Sequence, residues 1–202
     1  MKQLTTIMTA LILSISFVHS TAYAEDNEAF AVKPNRGLNA VQHRQLDTLF
    51  DSLRHAKSEV EALSHEREIW RIWIAPEDKT LRKLMDAAID KVRNAEYEVS
   101  VEMFDDIIKR YPKYAEVWNQ RALAHFQLRN FEASLKDIAT TLKLEPRHFG
   151  ALSGRGVIHL EQGETKLAEQ AILRAMRYHP YISSRRLLQD IPLIEANDGP
   201  FI

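Results

Sequence analysis

The chain has no cysteine among its 202 residues. That excludes disulfides, thiolate metal sites, a cysteine nucleophile and lipid attachment through an N-terminal cysteine. It has no apolar run of the roughly 20 residues that a membrane-spanning helix needs. Nor does it have a strong charge: 27 basic residues against 28 acidic ones give a net −1, and no dense basic block points to nucleic acid. Glycine-rich phosphate loops, a GxSxG elbow and an HExxH helix are all missing. Beyond residue 24, the histidines at 43, 55, 65, 125, 148, 159 and 179 include no pair at the i, i+4 spacing of a helical zinc site. His125 and His159 come closest, one unit apart, but neighbouring helix axes about 8–10 Å apart leave them too distant to share a metal. Asp105 and Asp106 are adjacent on one helix and point to different sides. We therefore expect no cofactor and no metal, and assign no catalytic residue.

What the chain does have is a period. Pro112, Pro146 and Pro180 are evenly spaced, since 146 − 112 = 34 and 180 − 146 = 34. Each closes a run that reads as two short helices. With units at 81–114, 115–148 and 149–180, the first helices carry Leu84, Trp118 and Leu152, then Ala88, Ala122 and Gly156 four residues later. The second helices carry Ser100, Ser134 and Ala168, then Phe104, Ile138 and Ile172. Two helices approach closely only where small side chains meet, with large ones filling the gaps a turn away. Proline, which lacks an N–H and disfavours helix at the preceding residue, fixes the turn into the next unit. Asn94, Asn130 and Gly163, with their neighbours, supply the turns inside the units.

This pattern resembles the tetratricopeptide repeat, best in the middle unit through Trp118, Ala122, Phe131, Ser134, Leu135 and Pro146. Arg121 and Arg155 stand where that pattern often has Leu, and His125 and His159 where it often has Tyr. Such residues can bury their stems and keep polar tips wet. The resemblance implies an all-α, right-handed solenoid of helical hairpins: three repeats, a degenerate N-terminal hairpin and a C-terminal cap. It also resembles small exported bacterial repeat proteins.

Residues 1–24 read as a cleavable signal peptide. Lys2 supplies the positive start, 7–18 the apolar core, and Ala22-Tyr23-Ala24 the small-x-small cleavage site. The expected address is the periplasm, with secretion as the alternative and no stable membrane insertion after cleavage. Residues 25–37 read as a flexible lead. Residues 38–80 read as the degenerate hairpin: Leu46, Leu49, Phe50 and Leu53 form one stripe, and Ser58 with Glu61 a capping box before Leu63, Trp70 and Trp73. In the 34-residue frame Arg54 and Glu66 replace the small residues, so this hairpin is expected to cap the first repeat. Trp70 and Trp73 are expected to pack on the helix starting near Leu81, a binding patch being the sharper alternative. Residues 181–202 read as a capping helix, with Arg185 and Arg186 exposed, and an apolar tail that either occupies the groove or covers the last repeat.

In such a solenoid the first helices line the concave side, and that groove is the expected binding surface. Its candidates are Met85, Ile89, Glu116, Asn119, Gln120, Leu123, Gln127, Ser153 and Val157, with Trp70, Trp73, Arg147 and His148 as edge contacts. Arg147 pairing only with Glu145 is the structural alternative at that edge. Some tetratricopeptide proteins grip a C-terminal carboxylate with Lys, Asn and Arg on these faces. Met85, Ile89 and Gln120 cannot supply such a clamp. The expected function is a protein-binding adaptor or scaffold, for cell-envelope assembly, with a protein or peptide partner. A self-assembling protein whose solenoid ends stack as a homo-oligomer is the second reading, and an enzyme the third.

Overall fold

The computed structural model describes residues 37–189, which form eight α-helices and one 3-10 helix with no strand among them. Residues 1–36, on which the expected signal peptide and nearly all of the expected lead fall, and the tail from 190 onward lie outside the described residues. The first pair is α1, Ala40–Arg54, and α2, Glu59–Ile74. Three further pairs follow: α3 (Lys79–Arg93) with α4 (Tyr97–Arg110), α5 (Ala115–Gln127) with α6 (Phe131–Leu144), and α7 (Phe149–Glu161) with α8 (Thr165–Met176). The 3-10 helix Ser183–Gln189 ends the described chain.

The helix starts follow from capping chemistry. Asn39 Oδ1 accepts from the Gln42 N–H at 2.8 Å and Gln42 Oε1 accepts from the Asn39 N–H at 3.1 Å, a complete capping box. At α2 the expected box is half made: Ser58 accepts from the Glu61 N–H, but Glu61 accepts from the Lys57 N–H instead. Asp78 caps α3 through the N–H groups of Thr80 and Leu81.

The turn inside each repeat has its own period. Ala95, Arg129 and Gly163 all have positive φ, at 59°, 57° and 75°. They are spaced 129 − 95 = 34 and 163 − 129 = 34. Only the third has the residue suited to that conformation.

Close approach within the pairs rests on the small residues. Ala88, Ala122, Gly156, Ser100, Ser134 and Ala168 are all buried. A Cβ on Gly156 would stand 2.7 Å from Ile172 Cγ1, so nothing larger than hydrogen fits without movement. Ser134 Oγ donates to the Ala122 carbonyl at 2.8 Å across the α5–α6 contact.

The core is in two parts, and their membership is informative. One part holds Leu81, Met85, Ala88, Phe104, Ile107, Tyr111, Tyr114 and Val117, from the first repeat and its joint with the second. The other joins Leu46, Phe50, Leu53, Ile69 and Trp73 of the first hairpin to Ile138, Phe149, Leu152 and Ile158 of the second and third repeats. Each fully buried Leu, Ile or Phe contributes roughly 1.5–3 kcal/mol of burial. The first hairpin therefore shares its core with the second and third repeats and not with the repeat next to it in sequence.

Arg121 supplies a polar bolt between repeats. Its guanidinium forks onto Asp137 of α6 at 2.6 and 2.7 Å and reaches Asp105 of α4. Contrary to the expectation of a wet tip, the side chain is only 17% exposed and Asp137 only 3%. Burial lowers its affinity for a proton, but the two carboxylates outweigh that and raise it. One repeat on, Arg155 has lost both partners, because 105 + 34 and 137 + 34 fall on Ala139 and Ala171. Burial, then the nearby Arg174 charge, lowers its proton affinity instead.

Candidate protein-interaction face

The N-terminal ends of α5 and α7 carry a buried polar pair. Glu116 and His148 are 1% and 0% exposed, and His148 Nε2 lies 2.9 Å from Glu116 Oε2. His148 is also the cap of α7, its Nδ1 accepting the Ala151 N–H at 3.1 Å. The cap fixes the tautomer: Nδ1 carries a lone pair, so Nε2 carries the proton and donates to the carboxylate. Asn119 and Gln120 donate their amide N–H groups to the same carboxylate, Gln120 at 2.6 Å. Their amide oxygens are left to accept from another molecule.

Over this pair lies α2. The Trp73 indole stacks on the His148 ring at 4.1 Å with the planes 6° apart. Trp70 meets Trp73, His148 and Phe149 edge-on at 5.2–5.6 Å. The backbone at Gly150 admits it, since a Cβ there would be 2.7 Å from Trp70 Cη2. Tyr114 Oη donates to the Trp73 carbonyl. Burial, with the Glu116 and Asp86 charges adding, pushes that phenol well above its usual range. Arg147 lies over the Phe50 ring at 4.5 Å, pairs with Glu145 and reaches Asp47 of α1 at 2.7 Å. Glu66 accepts from His179 Nε2 at 3.1 Å and from the Trp70 indole at 3.3 Å. Those bonds, the His179 one foremost, hold its carboxyl below the usual range although burial works against them.

Three of the four edge residues named from sequence, Trp70, Trp73 and His148, thus meet one another, while Arg147 goes to Phe50, Glu145 and Asp47, and the first hairpin docks on the third repeat. The expectation that Trp70 and Trp73 pack on the helix starting near Leu81 is corrected here. The reason lies in the partners on offer: the indoles find the His148 and Phe149 rings and the bare backbone of Gly150, and Arg54 and Glu66 stand where the other pairs have their small residues. Arg54 stays exposed, and Glu66 spends its carboxylate on His179.

Beyond Trp70 an apolar cleft of about 310 Å³ runs between α5 and α7. Asn119, Gln120, Leu123 and Val157 of the sequence candidates line it, with Phe126 and Gly154. Leu123 is 42% exposed. Gln127 is exposed a turn further on, and Ile89 is half-buried against the first core. Three candidates are not available. Met85 is fully buried within the first core. Glu116 is held by His148, and Ser153 shares a 2.9 Å hydrogen bond with Ser184 of the 3-10 helix. In that cap Arg186 is exposed as expected, whereas Arg185 is half-buried over Tyr181 and reaches Glu59. Among the described residues no helix is long and apolar enough to cross a membrane, and no group of three acidic or histidine side chains could hold a metal ion.

Paired helices with a 34-residue period, small residues at their contacts and an open apolar cleft along their first helices define an interaction solenoid. The family profile of the tetratricopeptide repeat matches residues 85–136 and 119–181. A TPR repeat-containing protein of Rhizobium etli is 33% identical over 178 residues, spanning 86% of each chain. This chain belongs to the tetratricopeptide-repeat proteins. Its fold is similar to the first TPR of Spaghetti (RPAP3) bound to HSP90 peptide SRMEEVD, with a TM-score of 0.54, 17% identity and coverage of 57% of this chain and 92% of that one. It is also similar to the TPR2AB domain of yeast Sti1, in complex with an HSP90 peptide, with a TM-score of 0.50, 14% identity and coverage of 74% and 60%.

Proposed function

We propose that this chain is a protein-binding scaffold that holds a partner segment in the α5–α7 cleft, and that it works in the periplasm after removal of residues 1–24, in cell-envelope assembly. The cleft carries the reading. Its floor of Leu123, Phe126, Val157 and Ile158 suits one large apolar side chain, and the free amide oxygens of Asn119 and Gln120 suit the N–H groups of a peptide backbone. A peptide such as SRMEEVD, which the RPAP3 repeat binds, ends in carboxylates that call for cationic partners. Met85 is buried here and Ile89 and Gln120 carry no charge, so an apolar anchor fits better than an acidic tail.

The test is a pull-down from envelope extract with residues 25–202, beside a Leu123→Glu, Asn119→Ala variant whose helicity is checked by circular dichroism. The expected result is a partner retained by the parent and lost by the variant, then reproduced with the purified partner. Equal retention by both removes the cleft from the mechanism. A mass that grows with concentration and no retained partner favours self-assembly instead.

A further inference from the structure

The hairpin is attached to the third repeat in a manner unlike any repeat-to-repeat contact in the molecule. Its contacts are made by long side chains, and its charge pairs run one way. Asp47, Glu59 and Glu66 supply the carboxylates, while Arg147, Arg185, Arg186 and His179 of the solenoid supply the cations or donors. Two indoles fill seats built from His148, Phe149 and the bare backbone of Gly150. The fit is incomplete. Trp73 Nε1 and His179 Nδ1 are buried in this contact without a protein partner, and each such atom costs stability when left unpaired. The α5–α7 cleft continues the same surface past Trp70, so a longer helix would find more apolar wall than α2 covers.

We propose that the surface under the hairpin is a receptor for an amphipathic helix with a carboxylate four residues before one indole and seven before a second, the spacing of Glu66, Trp70 and Trp73, and that α2 is its tethered stand-in. A partner helix of that chemistry takes the seats of α2 while the hairpin stays linked through residues 75–78. This rests on the protein-binding reading above, but it concerns the seats under α2 rather than the open cleft.

The probe is a fluorescent synthetic peptide with the sequence of residues 58–75, titrated by anisotropy into the full chain. It is titrated also into an Asp47→Asn, Glu59→Gln, Glu66→Gln variant, which loosens the hairpin and leaves the receptor side unaltered. A linked competitor acts at an effective concentration in the millimolar range, so the parent should bind weakly. Loss of the four pairs that these carboxylates make should tighten peptide binding by about tenfold. Replacing both tryptophans of the peptide by alanine should abolish binding. A second full-chain variant, Trp70→Ala with Trp73→Ala, vacates the indole seats outright. If that variant keeps its helical signal and still takes up no peptide, the proposal is overturned. If Leu123→Glu loses its envelope partner while no peptide binds, the cleft reading stands and only the stand-in falls.

Discussion

Gly150→Ala sets two forces in opposition at one atom. Alanine favours helix over glycine by about 0.5–1 kcal/mol, less in the first turn where residue 150 stands, so a solenoid with nothing above it would gain slightly. The added Cβ, however, would lie 2.7 Å from Trp70 Cη2 and 3.0 Å from Cζ2. Reaching an ordinary contact of 3.4 Å requires a shift of 3.4 − 2.7 = 0.7 Å at the ring edge. Trp70 is braced by Trp73, Phe149 and its bond to Glu66, and overpacking of that kind costs about 1–3 kcal/mol. The expected net effect is weaker hairpin docking by about 1–2 kcal/mol, with α7 itself unharmed. Amide hydrogen exchange reads the two separately. Protection in α2 should fall roughly five- to thirtyfold while protection in α4 and α6 holds. Unchanged α2 protection with a slightly raised melting temperature would show that Trp70 does not seat on Gly150, and the docking geometry would be wrong.

Ala95→Gly should stabilise by about 0.5–1 kcal/mol in urea unfolding, since Ala95 holds φ at 59° and glycine takes that conformation without the Cβ penalty. Arg121→Met should cost about 3 kcal/mol because it strands the buried Asp137, whereas Arg155→Met, which removes a half-buried charge with no carboxylate, should be neutral or mildly stabilising. The same urea transitions measure both. Glu66 is held below its usual 4.5, so its contribution to docking is fully present above that pH and is lost as pH falls through the lowered folded value. Protection in α2, taken against the intrinsic exchange rate at each pH, should therefore fall on acidification, and Glu66→Gln should flatten that dependence. His125 is pushed below its usual 6.5 by burial, and its ring Nδ1 has no protein partner. It favours the unfolded chain increasingly as pH drops below that value, and the excess loss of melting temperature between neutral and mildly acidic buffer should disappear in His125→Leu.

The repeats were legible because their physics is local and recurs. Pro112, Pro146 and Pro180, with six small residues at fixed offsets, are constraints on neighbouring turns and neighbouring helices, and a period displays them. The cleft candidates Asn119, Gln120, Leu123 and Val157 followed from the same frame. Met85 did not, because what buries it, Phe104, Tyr111 and Tyr114 among others, comes from beyond its own helix. The destination of the hairpin was not legible either. Trp70 and Trp73 find His148 and Phe149 some 75 residues away, and a contact made once leaves no period to read. A signal existed in Glu116 and His148, an acid and a histidine at the starts of successive first helices, but side chains of those types more often face solvent. Likewise Glu66 could be seen to spoil a small position, but not to have found His179.

A tandem array of hairpins ordinarily unravels from its ends, each unit resting on its neighbours alone. Here Asp47 meets Arg147 across 100 residues, Glu66 meets His179 across 113, and Glu59 meets Arg185 across 126. The first and last described units hold each other, so neither end of the array is the weak one, and fraying from either side must first release the other. Such a chain should melt in one step rather than unit by unit, and should fold slowly for an all-helical protein, since its closing contacts come from opposite ends of the sequence. Its ladder of repeats has been tied into a loop.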